Sequence, residues 1–266
     1  MKVGVAGVGV VGGALTKYLE SVGHEVVKYD PPLGLNGDLS LTDVVFICVP
    51  APTLEDRSLD LSIVRLVLIE LLKKDYQGAV CLKSSLLPGT TNRFKFEHPQ
   101  LNFYYTPEFL VARQAYEDIQ KQPIVIGIID DEFEEFQNNF TNDVSKLFSA
   151  LFIHQDLIFC TTIEAEMIKY AHNCFGAIQV NYFNIIYEAC KRSKCDYDRV
   201  INGISPFPAM QDRLIKVPGP DGLRGYGGAC FPKDTKAFIG FLEKMNIDHL
   251  SISGAELDNE MYRNNI

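Results

Sequence analysis

The sequence is short of positive charge. Its 266 residues carry 25 lysines and arginines against 34 aspartates and glutamates, a net charge of -9. That balance argues against a nucleic-acid-binding face and against attraction to an anionic lipid surface. An anionic small ligand would need a local cluster of cations. Long apolar runs are absent as well: no stretch is long enough to span a membrane, and the first residues lack the pattern of a secretory signal. The seven cysteines are odd in number and have no tight repeating spacing. They read as reduced thiols of a cytoplasmic protein rather than a disulfide framework, and no metal site is expected. Internal repeats, low-complexity tracts and flexible linkers are missing too. What remains is ordinary globular composition, 47% hydrophobic and 22% charged, near the length at which one core divides into two.

What is present begins at the N-terminus. An apolar run, Lys2 to Gly7, leads into Gly7-Val8-Gly9-Val10-Val11-Gly12. A helical stretch, Ala14 to Val22, follows, then a second apolar strand, Glu25 to Tyr29, ending at Asp30. Strand, GxGxxG, helix, strand and acidic residue in this order form a dinucleotide fingerprint. Gly7 allows the tight turn, Gly9 lets pyrophosphate approach, and Gly12 lets helix pack on strand. Asp30 is expected to bind the adenosine ribose hydroxyls and repel a 2′-phosphate, favouring NAD over NADP.

Further strands are predicted at Val44–Val49, Ala79–Leu82, Phe103–Tyr105 and Ile124–Ile128, with helices at Leu61–Lys74 and Glu132–Leu151. This alternation predicts an α/β fold, a Rossmann-like domain with a mostly parallel sheet covered on both faces. Its ligands should lie beyond the carboxyl ends of the strands. A long connecting helix is expected at Thr162–Ser193, capped by Thr162, with acidic residues in its first turn and Lys191 and Arg192 in its last. Lys169 and Asn173 share one face of it. A small all-helical domain follows: Tyr197–Gly203 capped by Asp196, a helix from Pro232 to Asn246, and a last helix within Ser253–Asn264. The expected division is 1–161 and 162–266. Cys48 and Cys81, in apolar runs, read as core. Cys230 stands just before a helix N-terminus, where amide dipoles favour a thiolate.

Cys230 lies within Gly225-Tyr226-Gly227-Gly228-Ala229-Cys230-Phe231-Pro232-Lys233-Asp234. This run resembles the active-site signature of the UDP-glucose/GDP-mannose dehydrogenases, roughly GxGGxCxPKD. Other stretches resemble family motifs in the same order. They are Val49-Pro50-Ala51-Pro52-Thr53, the loop Lys83-Ser84-Ser85 to Pro88-Gly89-Thr90-Thr91, Pro107-Glu108-Phe109-Leu110, and the helical Ala165-Glu166-Met167-Ile168-Lys169 to Asn173. The resemblance covers almost the whole chain. It implies oxidation of a nucleotide-sugar primary alcohol, UDP-glucose to UDP-glucuronate being the first candidate, with two NAD in succession through a Cys230 thioester. It implies that Lys169 and Asn173 stabilise oxyanions, that Asp234 and Ser85 order water, and that Glu108 helps deliver it. Val8, Val10, Val11, Val49, Pro50 and Ser85 would join the glycines and Asp30 around the cofactor. Phe109, Leu110 and Gly227 would join Lys169 and Asn173 around the substrate, with Arg213 reaching in from the neighbouring subunit of a homodimer formed through the helical domain.

Departures are visible. Ser85 stands where threonine is usual, Val111-Ala112-Arg113 where the family reads REG, and the span from Asp30 to Val49 is short. The family continues with a further α/β domain that helps bind the nucleotide, and this chain is expected to lack it. Two alternatives fit less of the pattern: a simpler NAD-dependent hydroxyacid dehydrogenase using Lys169 without Cys230, and a truncated NAD-binding module without turnover.

Overall fold

β1 (Lys2–Ala6) buries all but its first residue, as a strand covered on both faces must. It pairs in parallel with β2 (Glu25–Asp30) on one side and β4 (Val44–Ile47) on the other. The sheet also contains β3 (Leu35–Asn36), β5 (Ala79–Leu82), β6 (Asn102–Tyr105), β7 (Ile124–Ile128) and β8 (Leu157–Thr161). The strand order is β3-β2-β1-β4-β5-β6-β7-β8. Only the β2–β3 and β6–β7 pairs are antiparallel, so the mostly parallel sheet read from the sequence is present. The order reverses beside β1, and the carboxyl ends of β1 and β4 bound the crevice where such sheets bind ligands. The structure, a computed structural model, describes residues 1–138, 143–204, 214 and 216–264.

Period-two alternation along the strands feeds two apolar layers. Val45 and Ile47 of β4 face one cluster, with Val80, Leu82 and Val64, Leu68 and Leu71 of α2 (Ser62–Lys73). Val44 and Phe46 face the other, with Val3, Val5, and Leu15 and Leu19 of α1 (Val10–Ser21). Each such buried side chain contributes about 1.5–3 kcal/mol relative to exposure. The remaining helices of this part are α3 (Thr90–Glu97), α4 (Ala115–Lys121), α5 (Asp130–Asn138) and α6 (Asp143–Leu151).

Several expectations are corrected. Within the helix predicted over Glu132–Leu151 the described residues are helical as α5 and α6, and residues 139–142 lie outside the described residues. β8 was not anticipated, because its five residues carry too little pattern to mark an edge strand. The strand predicted to reach Val49 ends at Ile47, whose carbonyl accepts the Lys83 and Ser84 N–H groups at 2.9 and 3.1 Å. α7 (Thr162–Arg192) begins where expected, but its cap is Thr161 rather than Thr162. The Thr161 hydroxyl accepts from Glu164 N–H at 3.2 Å and the Glu164 carboxylate from Thr161 N–H at 2.8 Å, a capping box. Thr162 Oγ1 instead lies 2.7 Å from Asn92 and 2.9 Å from Asp130.

The chain divides into two units, Met1–Pro52 with Leu59–Lys169, and Thr53–Ser58 with Tyr170–Ile266. The first two turns of α7 therefore pack with the sheet. In the second unit the described regular elements are helical: the rest of α7, α8 (Tyr197–Ile204), α9 (Phe231–Lys244) and α10 (Leu250–Arg263). α7 ends in a Schellman motif, with Cys195 N–H on the Cys190 carbonyl at 3.0 Å and Lys194 N–H on that of Lys191 at 3.3 Å. Asp196 caps α8 through Arg199 N–H at 3.1 Å, as the sequence predicts. No described helix is long and apolar enough to cross a membrane.

Candidate active site

In the first unit the glycine loop connects β1 to α1. Gly7 turns the chain at φ 84°, with its N–H on the Tyr29 carbonyl at 2.8 Å. A Cβ at Gly12 would stand 1.9 Å from the Gly7 carbonyl oxygen, so only glycine lets α1 start this close to β1. Gly9 is the N-cap of α1, with no side-chain cap and no acidic residue in the first turn. A Cβ there would meet nothing within 4 Å. Open space before uncapped helix N–H groups suits a pyrophosphate. Asp30 ends β2, and its Oδ2 accepts the Val8 N–H at 2.7 Å. The carboxylate thus braces the loop through one oxygen, and the other remains for a ribose hydroxyl. Val10 is exposed beside them, Val49 is buried beyond β4, and Pro50 is exposed. These features fit a dinucleotide.

The same unit carries a charged cluster. Lys169 of α7 is 2% exposed, and its ammonium donates to Glu108 Oε1 at 2.9 Å and to the Glu108 carbonyl. The other Glu108 oxygen accepts Leu110 N–H at 2.9 Å. Phe109 lays its ring 5.4 Å from the same ammonium. Burial alone would raise the Glu108 pKa, but the Lys169 charge and hydrogen bond outweigh it and hold the carboxyl below its ordinary range. Lys83 is also buried; its ammonium rests on the Thr106 carbonyl at 2.9 Å, and burial lowers its pKa. Ser84 is tied to the Val49 carbonyl at 2.6 Å, and Ser85, half-buried, follows it. That loop is anchored from α7 by Glu166, whose carboxylate accepts Gly89 N–H at 2.6 Å, Thr91 N–H at 2.9 Å and the Thr91 hydroxyl at 2.7 Å. Glu166 thereby caps α3, and burial pushes its pKa up to about 7.

In the second unit Cys230 is exposed at the N-cap of α9, with Pro232 in the first turn. Asp234, one turn on, is fully buried; its Oδ2 accepts from Asn173 at 2.5 Å and its Oδ1 from Lys233 at 2.6 Å. Phe231 seats against α7 where Gly176 leaves room, since a Cβ there would lie 2.7 Å from its ring. Cys230 contrasts with Cys48, whose burial pushes its thiol up to about 12 and leaves it inert.

Lys169 and Glu108 meet in one unit, and Asn173 and Asp234 in the other. Gly227 is not open space: a Cβ there would meet the Arg263 guanidinium at 2.1 Å. Arg213 lies outside the described residues. The sequence reading passed over Lys233, Lys83, Glu166, Asn259 and Arg263. Lys233 and Glu166 sit inside quoted motifs, whereas Asn259 and Arg263 carry no local signal. Among the described residues no histidine, cysteine and carboxylate cluster is arranged to hold a metal ion.

Comparison with known proteins agrees with this geometry. Residues 35–148 match the UDP-glucose/GDP-mannose dehydrogenase family, NAD binding domain, and residues 163–261 match the central domain of the same family. A UDP-glucose 6-dehydrogenase of Rhizobium meliloti is 30% identical over 212 residues, 76% of this chain and 46% of that protein. One from Bacillus subtilis is 29% identical over 221 residues, 79% of this chain and 46% of that protein. The chain spans about half the length of these curated relatives. A UDP-glucose dehydrogenase from the hyperthermophilic archaeon Pyrobaculum islandicum superposes with TM-score 0.81 at 26% identity, over 97% of this chain and 68% of that one. A UDP-D-ManNAc dehydrogenase from Pyrococcus horikoshii shares the fold, with TM-score 0.78 at 20% identity over 98% of this chain and 69% of that one. With a glycine loop fit for NAD and both domain signatures in sequence order, the chain belongs to the UDP-glucose/GDP-mannose dehydrogenase family, of which it carries the NAD-binding and central domains.

Proposed function

We propose that the chain is an NAD-dependent nucleotide-sugar dehydrogenase that oxidises the primary alcohol of a UDP-sugar, UDP-glucose first, to the carboxylate. The observation that carries this is Cys230, exposed at a helix N-cap one turn before the buried Asn173–Asp234 pair and its half-buried partner Lys233. NAD, when bound, accepts one hydride in each of two successive oxidations. The Cys230 thiolate adds to the aldehyde carbon, and the alkoxide so formed is held by the Lys169 ammonium and the Asn173 amide. The second oxidation leaves a thioester on Cys230. Water adds to it, the carbon–sulfur bond breaks, and the thiolate and carboxylate are released. Ser85 and Asp234 order that water, and Glu108 helps deliver it. In sum, alcohol, two NAD and one water give carboxylate, two NADH and three protons.

The chain works as a homodimer. On α7 the residues Ala171, Phe175, Ile178, Tyr182, Ile185 and Ala189 recur at heptad spacing, and Phe175, Tyr182 and Ile185 are 59%, 55% and 47% exposed. Such a stripe supports helix pairing between copies. Sedimentation of the wild type beside Tyr182→Glu checks it, with loss of the dimer in the variant expected. The reaction is tested by a turnover screen of NAD with UDP- and GDP-sugars. Two NADH per sugar carboxylate is the expected stoichiometry. One NADH per product, or no turnover with any nucleotide sugar, overturns the reading.

A further inference from the structure

The glycines of the cysteine loop make room for side chains of α10. A Cβ on Gly225 would meet Asn259 Oδ1 at 2.4 Å, and one on Gly227 would meet the Arg263 guanidinium at 2.1 Å. All four backbone polar groups of the Gly225-Tyr226 segment are held by side chains. Gly225 N–H donates to Asn184 Oδ1 of α7 at 3.2 Å, and Tyr226 N–H to Asn259 Oδ1 at 2.7 Å. Arg263 donates through Nε to the Tyr226 carbonyl at 3.1 Å and through Nη2 to the Gly225 carbonyl at 3.4 Å. Its remaining Nη1 reaches Asp221 Oδ2 at 2.7 Å, across the turn that opens the loop. Asn259 is 9% exposed, so its amide has little water to turn to if the loop withdraws. The planar fork of arginine fixes two carbonyls and a carboxylate in one geometry, which a lysine cannot reproduce. Four residues after Tyr226 the chain reaches Cys230, and Tyr226 packs edge-on to Phe231 with ring centroids 6.3 Å apart. The grip therefore passes directly to the residue that follows the nucleophile.

We infer that Asn259 and Arg263 of α10 are positioning residues for Cys230. They set the register of the Gly225–Gly228 segment, and so where the sulfur stands at the α9 N-cap. The consequence for catalysis rests on the proposed reading of Cys230 as the nucleophile.

The test uses the full chain with Asn259→Leu, Asn259→Asp, Arg263→Ala and Arg263→Lys. Iodoacetamide labelling at fixed pH, read peptide by peptide by mass spectrometry, gives the rate at Cys230. Exposed Cys195 in the same unit is the internal reference. Loss of the neutral Asn259 bond in Asn259→Leu, or of the guanidinium bonds in Arg263→Ala, is expected to slow Cys230 labelling about tenfold, with Cys195 unchanged. Asn259→Asp keeps the acceptor and should restore the wild-type rate. Arg263→Lys keeps the charge but loses the fork, and should remain slow, which serves if the larger changes prevent folding. In turnover, kcat should fall while the KM for NAD stays put. Unchanged Cys230 labelling in the folded variants overturns the inference, whatever their thermal midpoints. So does failure of Asn259→Asp to restore the rate. Carboxylate production by Cys230→Ser would overturn the nucleophile reading alone, because the labelling results still decide what α10 does.

Discussion

The two glycine-rich loops of this chain look alike in composition and differ in what their glycines are for. In the Gly7–Gly12 loop the space belongs to backbone and ligand. Gly12 is pressed against the Gly7 carbonyl, while Gly9 faces nothing within 4 Å. In the Gly225–Gly228 loop the space beside Gly225 and Gly227 is taken by Asn259 and Arg263, and only Gly228 looks onto open space. One loop leaves helix N–H groups uncapped for an anion. The other has its polar backbone occupied, and a cysteine is what it presents. A run of glycines therefore does not by itself announce close approach of a ligand. It announces close approach of something, and the tertiary structure decides what.

The comparison can be broken most severely at Gly12. Gly12→Ala puts a methyl 1.9 Å from a backbone oxygen that no side-chain rotation can move. Such overpacking should destabilise the chain by more than about 3 kcal/mol and abolish NAD binding, measured by chemical denaturation and cofactor titration. A smaller effect tests how the first unit holds its other loop. The folded pKa of Glu166 is raised to about 7, so across the range from the ordinary glutamate value, about 4.3, the folded state keeps a proton that the unfolded state releases. Unfolding free energy should therefore fall as pH rises through this window, by on the order of 3 kcal/mol. Glu166→Gln should remove that slope. Glu108 acts with the opposite sign. Its depressed pKa contributes stability that is present above about pH 4.3 and lost as pH falls through the folded value. Chemical denaturation of Glu108→Gln should differ from wild type at pH 7, and the gap should narrow as pH falls below about 4.3.

Smaller again is Gly227→Ala, where the obstacle is the end of a flexible arginine. Displacing Arg263 from its carbonyls should cost about 1–2 kcal/mol, and kcat should fall while NAD binding is unaffected. Gly9→Ala sharpens the contrast at the lowest cost to the fold. Its Cβ enters open space, so stability should change by less than about 1 kcal/mol, the difference between glycine and alanine at an N-cap. NAD affinity should nevertheless drop at least about tenfold, because the methyl occupies the pyrophosphate side. Unchanged affinity would show that the open space at Gly9 is not the cofactor's.

The sequence by itself determined the parallel sheet, the dinucleotide loop and the position of Cys230 before a helix. Each rests on short-range pattern: apolar alternation, glycine spacing, and proline in a first helical turn. It also placed Lys169 and Asn173 on one helix, since four residues make about one turn. Where local pattern was thin, the reading failed, as at β8 and at the one-residue shift of the α7 cap. Tertiary structure alone decided the partners. It set Glu108 against Lys169, 61 residues apart, and Asn173 against Asp234, also 61 apart. It brought Glu166 onto the α3 N-terminus and Arg263 onto the carbonyls of Gly225 and Tyr226. The physical reason is the same in each case. A buried charge or amide must find a partner wherever packing brings one, and no local periodicity records which distant element that will be.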